Sequence, residues 1–173
     1  MRKLTVVTLA IVIYLVFAVP AHAKSPKLTN AQHRNNVVKV LRKGLASTPL
    51  RGTARIFESE GWRAKMSPYF LVGASGTESS FGAAACSGNS YNIWGLGACN
   101  RAWIVPYFST RRQAVRYYVK FIRSHWPSAK TCYQLYGYCP PCGAYGWGST
   151  THSKMRQLFG PVSSSLTYPR KQE

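Results

Sequence analysis

Residues 67–82 read Ser67-Pro68-Tyr69-Phe70-Leu71-Val72-Gly73-Ala74-Ser75-Gly76-Thr77-Glu78-Ser79-Ser80-Phe81-Gly82. Ser67 suits a helix N-cap, and Pro68 fits the first helical position, where a missing N–H costs nothing. Residues 69–77 are then apolar or small almost all round, so the helix they form is predicted to be buried. Glu78 is the one carboxylate of this stretch and stands at its end, and Gly82 can close the helix in a left-handed turn. A buried helix that delivers a single acid to its own terminus decides how the rest of the chain is read.

Outward from this segment the pattern is helical. Val37, Val38, Val40 and Leu41 recur at helical spacing after Thr29 or Asn30, until Gly44. Pro49 breaks the chain, and Ala54 to Ala64 reads as a second helix interrupted at Gly61. Ser109-Thr110 opens an amphipathic helix, with Ala114, Val115, Tyr118, Val119, Ile122 and Trp126 on one face. Arg111, Arg112, Arg116, Lys120 and Arg123 fall mostly on the other, read as a solvated face. A last helix is expected from about Thr150 to Phe159, closed by Gly160-Pro161. Residues 83–105 hold three glycines and few apolar runs, which predicts a structured loop region. The expected class is mainly α, a single domain over 30–160 with a loop-rich active-site region, a basic leader at 24–29 and a C-terminal tail at 161–173.

The acids are scarce. Against 23 Lys+Arg the 173 residues hold 4 Asp+Glu, all of them glutamate: Glu58, Glu60, Glu78 and Glu173. Asp-dependent chemistries, such as a Ser-His-Asp triad or a two-metal nuclease centre, are excluded. The formal charge of +19 predicts attraction to polyanions, among them an anionic cell envelope. At the N-terminus, Arg2 and Lys3 precede an apolar run over residues 4–19, then Pro20 and Ala21-His22-Ala23. This reads as a signal peptide, 1–23, rather than a membrane anchor, because the run is shorter than the roughly 20 residues a span prefers. Cleavage removes Arg2 and Lys3 and leaves 21 basic against 4 acidic residues, a net +17. The expected location is secreted or periplasmic, and no nucleic-acid partner is expected.

Export also governs the five cysteines, Cys86, Cys99, Cys132, Cys139 and Cys142. Disulfides are favoured over zinc, although Cys139-Pro-Pro-Cys142 has ligand spacing and His125, Cys132 and His152 are available. One thiol is left over. No metal or cofactor is expected.

The stretch 62–82 resembles the catalytic helix of the lysozyme-like superfamily, in which a Ser/Asp-Pro start leads to Glu-Ser-x-x-Gly. Asn89-Ser90-Tyr91-Asn92-Ile93-Trp94-Gly95-Leu96-Gly97 is similar to the Asn-rich, aromatic-Gly loop of bacterial glucosaminidases, and Phe108-Ser109-Thr110 to that family's next segment. The likeness spans roughly residues 54–126. Gly95-Leu96-Gly97-Ala98 only partly echoes the Gly-Leu-Met-Gln segment of lytic transglycosylases, and residues 132–142 have no counterpart. The resemblance implies peptidoglycan glycan strands as substrate, glycosidic cleavage, and Glu78 as catalytic acid/base. Tyr91, Asn92, Trp94 and Gly95 are implied substrate contacts.

The residues agree with that chemistry in part. A carboxylic acid in apolar surroundings, here Leu71, Val72 and Phe81, stays protonated and can deliver a proton to a leaving oxygen. A second carboxylate would have to be Glu58 or Glu60, for which pairing with nearby cations is an equal reading. One-glutamate mechanisms, lytic transglycosylation or substrate-assisted hydrolysis, therefore fit the acid count. Tyr133, Tyr136, Tyr138, Tyr145 and Trp147 are either sugar platforms or packing. A Cys86–Cys99 bond would brace the Tyr91 loop. The rival readings are a non-enzymatic cationic membrane-active protein, resting on the basic helix that follows Ser109, and a glycan-binding module that does not cut.

Overall fold

The computed structural model describes residues 28–85, 90–96, 107–139 and 143–171, with 143–145 as backbone alone. The expected signal peptide, residues 24–27 of the leader, Cys86, Cys99, Cys142, the Tyr145 side chain and Glu173 lie outside the described residues. The chain is mainly α: α1 (Asn30–Leu45), α2 (Ala54–Ala64), α3 (Pro68–Ser79), α4 (Arg111–His125) and α5 (Gly143–Phe159), with a 3-10 turn at Cys132–Gln134. None of these helices is long and apolar enough to cross a membrane.

Local chemistry explains most helix ends. Thr29 caps α1 in a reciprocal box with Gln32, Ser67 accepts from the Phe70 N–H to start α3, and Thr110 accepts from the Gln113 N–H to start α4. Gly61 does not interrupt α2. A Cβ there would lie 2.7 Å from the Met66 carbonyl oxygen, so the glycine lets the following turn fold back closely on the helix.

The buried helix α3 is the axis of the molecule. Phe70, Leu71, Val72, Gly73, Ala74, Ser75 and Gly76 are all buried, on every side of the helix. It crosses α5 closely because Gly73 has no side chain: a Cβ would sit 2.3 Å from Met155 Cγ. Thr77 and Thr151 share a 3.0 Å hydroxyl hydrogen bond across the same contact. On α4 the expected apolar face, Ala114, Val115, Tyr118, Val119 and Ile122, is buried. Trp94 stacks on Tyr118 with ring centroids 4.4 Å apart and carries the 90–96 loop into the core.

Two further sequence expectations are corrected. Helix α5 begins at Gly143, seven residues before the expected Thr150, although Gly143, Gly146 and Gly148 weaken helix propensity. Packing overrides propensity here: a Cβ on Gly148 would lie 2.7 Å from the Cys132 carbonyl oxygen, so this turn of α5 seats directly on the 3-10 turn. The C-terminal segment is also more than a tail. Leu166 and Tyr168 are buried, and the strap hydrogen-bonds on one side to Lys65 and Ser67 and on the other to Lys130 and Cys132. It stitches the α2–α3 junction to the chain after α4.

Candidate active site

The end of α3 is unusual. Ser80, Phe81 and Gly82 take φ of 49°, 62° and 92° in succession, a left-handed run that only a well-braced segment sustains. The brace is Ser79. Its hydroxyl donates to the Ile93 carbonyl at 2.6 Å and accepts from the Gly82 N–H at 2.9 Å, tying the helix end to the 90–96 loop. The helix closes at Ser80, ahead of Gly82, with the Ser80 and Phe81 N–H groups both reaching the Ser75 carbonyl. The Phe81 ring then covers Gly76.

Glu78 emerges half-buried from this turn. The Trp147 indole N–H donates to its Oε1. Burial raises the Glu78 carboxyl above its ordinary range, and the Trp147 hydrogen bond opposes that rise without cancelling it. Its other oxygen, Oε2, faces exposed Gly95, where even a Cβ would stand 3.8 Å away. Gly95 has φ +61°, so glycine suits the turn as well as the space. One carboxyl oxygen is thus held and the other opens toward a glycine.

The remaining residues singled out by the loop motif divide into supports and surface. Asn92 is buried, and its amide bonds both the Leu96 N–H and the Leu96 carbonyl, closing the turn that presents Gly95. Trp94 is also buried, and its indole N–H donates to the Leu71 carbonyl at 3.0 Å, so it offers no face to a ligand. Tyr91 is half-exposed and lies under the Arg111 guanidinium, 5.2 Å from the ring centroid. Leu71 and Val72 are buried in the core. The side chain that acts on Glu78 comes instead from Trp147, and the Glu78 charge in turn helps to raise the hydroxyls of Tyr118 and Tyr138.

Glu58 and Glu60 are both buried and both engaged. Arg34 grips Glu58 through two hydrogen bonds, 2.5 and 3.0 Å, and the Tyr168 hydroxyl adds a third at 3.2 Å. Glu60 collects Arg63, Arg112 and Arg116. Burial works to raise the Glu60 carboxyl, but the hydrogen bonds of Arg116 and Arg112, with the charge of Arg63, hold it below the usual range. Neither glutamate has an oxygen to spare for a reaction. The same pairs revise the reading of α4: Arg112 and Arg116 clamp α4 to α2 through Glu60, and Arg123 donates to the Ala64 carbonyl.

Cys132 is a free, buried thiol, pushed up to about 11 by burial, while Cys139 is disulfide-bonded. His152 is bonded through both ring nitrogens, to the Tyr133 hydroxyl and the Val162 carbonyl. Among the described residues no three of His, Cys, Asp and Glu gather as a metal site would require. A cavity of about 340 Å³, lined in part by Ser67, Tyr69, Tyr168 and Arg170, lies at the far end of α3, roughly 15 Å along the helix from Glu78.

Sequence reasoning singled out Glu78 but named Trp147 only among a mixed set of aromatics. No signal in the glycine-rich stretch before Thr150 announces that Trp147 sits on a helix facing α3. The chain matches no family model, no curated protein and no solved structure.

Proposed function

We propose that this protein is an exported glycosidase of lysozyme-like fold that cleaves peptidoglycan glycan strands, with Glu78 as its general acid/base. The observation that carries this reading is the environment of Glu78. Its carboxyl is raised above the ordinary glutamate range by burial, anchored at Oε1 by Trp147, and turned at Oε2 toward Gly95. Such an acid suits protonation of a glycosidic oxygen as the C1–O bond breaks.

A one-glutamate mechanism follows from the other carboxylates. Glu58 and Glu60 are enclosed by arginines and Glu173 lies two residues from the last described one, so no described carboxylate is available opposite Glu78. Either of two chemistries dispenses with it. In lytic transglycosylation Glu78 returns as base to the muramoyl C6 hydroxyl, and in substrate-assisted hydrolysis the sugar acetamide supplies the nucleophile. Tyr91, with Arg111 above it, is the half-exposed aromatic of the 90–96 loop and the better placed for sugar contact. The formal charge of +19 would concentrate the enzyme on an anionic envelope.

Digestion of purified sacculi by wild type and Glu78→Gln, with mass analysis of the fragments, tests the reading. Loss of turnover in the variant is expected, and the released ends, reducing GlcNAc, reducing MurNAc or anhydro-MurNAc, identify the bond and the chemistry. Undiminished turnover refutes the assignment. Sacculus binding without fragments would favour the glycan-binding reading. The membrane-active reading is weakened by α4, whose Arg112 and Arg116 are spent on Glu60.

A further inference from the structure

Two buried hydroxyls near Glu78 lack a well-formed hydrogen bond among the described residues. Tyr118 is fully enclosed and the Tyr138 oxygen is out of solvent; the two hydroxyls act on each other, yet neither makes a well-formed hydrogen bond among the described residues. A buried polar group left unpaired is destabilising, so native structures rarely keep one without a use. Here two occur together. The rings of Tyr118 and Tyr138 meet edge to face with centroids 6.4 Å apart, and Tyr138 lies on Trp147 at 4.1 Å. Trp147 in turn holds Glu78, and Tyr118 stacks on Trp94 of the loop that brings Gly95 to Glu78.

Both phenols keep a proton to donate. Burial raises both well above the ordinary tyrosine range, joined at Tyr118 by Tyr138 and then the Glu78 charge and at Tyr138 by the Glu78 charge, so each remains a neutral O–H near neutral pH. Of the cations nearby, Arg111 of α4 lies over the Tyr91 ring and Lys154 of α5 over the Phe81 ring, while Arg112 and Arg116 of α4 are engaged with Glu60. None of the cations contributes to the shift of Glu78, whose causes are burial and the Trp147 N–H.

Resting on the reading of Glu78 as the acid, we propose that Tyr138, backed by Tyr118, is a positioning residue whose hydroxyl is held in reserve for the Glu78 anion. While the carboxyl holds its proton it needs no second donor. When its proton moves to the glycosidic oxygen, the C1–O electron pair stays on that oxygen and the charge appears on Glu78. The Tyr138 O–H then turns to the carboxylate, and the Tyr118 O–H donates to the Tyr138 oxygen; both phenol O–H bonds stay intact. An interaction made only with the ionised acid lowers the barrier without tightening substrate binding, so it appears in kcat rather than KM.

The experiment follows the Glu78 carboxyl directly by carbon NMR titration of glutamate-labelled protein, its signal identified by its absence in Glu78→Gln. Tyr138→Phe and Tyr118→Phe keep the stacked rings. The expected result is a Glu78 titration about one pH unit higher in Tyr138→Phe and a smaller rise in Tyr118→Phe. On sacculi, kcat is expected to fall about tenfold with KM little changed and the basic limb moved upward. A merely structural role predicts instead an unchanged titration with equal or higher thermal stability, since an unpaired buried hydroxyl is lost. A titration unmoved in both variants overturns the proposal even if Glu78→Gln is inactive. If Glu78→Gln retains turnover, the acid assignment falls, and the titration still decides whether the tyrosines serve the Glu78 anion.

Discussion

The Trp147 indole N–H donates to Glu78 Oε1 across 69 residues of chain, joining α5 to the end of α3. This bond selects which carboxyl oxygen is free. It also favours the ionised form, against the larger effect of burial. Trp147→Phe should therefore raise the Glu78 titration further, move the basic limb of the pH–rate profile to higher pH, and lower kcat about tenfold. Kinetics on sacculi across pH check this, and a profile that stays in place would show that the bond does not tune the acid.

Glu78 itself should cost stability at neutral pH. Its folded-state pKa lies above the unfolded value, so the protonated form is favoured by the fold. That contribution is complete below the ordinary glutamate range, about pH 4, and is lost as pH rises through the raised value. Gln is neutral and still accepts from Trp147. Glu78→Gln is expected to melt above wild type at pH 7 and level with it at about pH 4, measured by calorimetry at both values. The stabilised variant would be the inactive one, a trade typical of an acid held for catalysis.

Glu60 has the opposite sign. The hydrogen bonds of Arg116 and Arg112 overcome its burial and depress it, so its stabilising contribution is present above the ordinary glutamate range and lost as pH falls through the lowered value. Glu60→Gln should lower the melting temperature at pH 7, leaving Arg63, Arg112 and Arg116 facing one another. The gap from wild type should close progressively below about pH 4. Denaturation across that range tests the assignment, and a gap that persists undiminished at the lowest pH would contradict it.

Ser79 should matter more than its size suggests. Ser79→Ala removes the donor to Ile93 and the acceptor for Gly82, and both backbone groups would be left without that partner. A loss of about 1–3 kcal/mol is expected. Because the 90–96 loop carries Gly95, activity should fall together with the protection of the loop amides from hydrogen exchange. Unchanged exchange would mean that the loop is held by other contacts.

Legibility followed range of interaction. Caps, the all-apolar face of α3 and the position of Glu78 are local features, and residues 67–82 carry them openly. The α4 core face was equally plain, since its spacing repeats every turn. The partners of the charged residues were not plain. Arg34 and Glu58 are 24 residues apart, and Arg116 and Glu60 are 56 apart, beyond any helical spacing rule. Asn92 and Trp94 looked like ligand contacts because aromatic and amide groups suit sugars; their burial shows that the same groups suit a loop that must be anchored.

The amino-acid order by itself determined a mainly α chain with one isolated acid at the end of a buried helix. Only the tertiary structure decided that this acid is gripped by Trp147, approached by Gly95 and neighboured by two buried tyrosines, while its two described fellow glutamates are locked in ion pairs with arginine. The reason is physical: helix periodicity and capping are set within a few residues, whereas the protonation and freedom of a carboxyl depend on what distant segments bring against it.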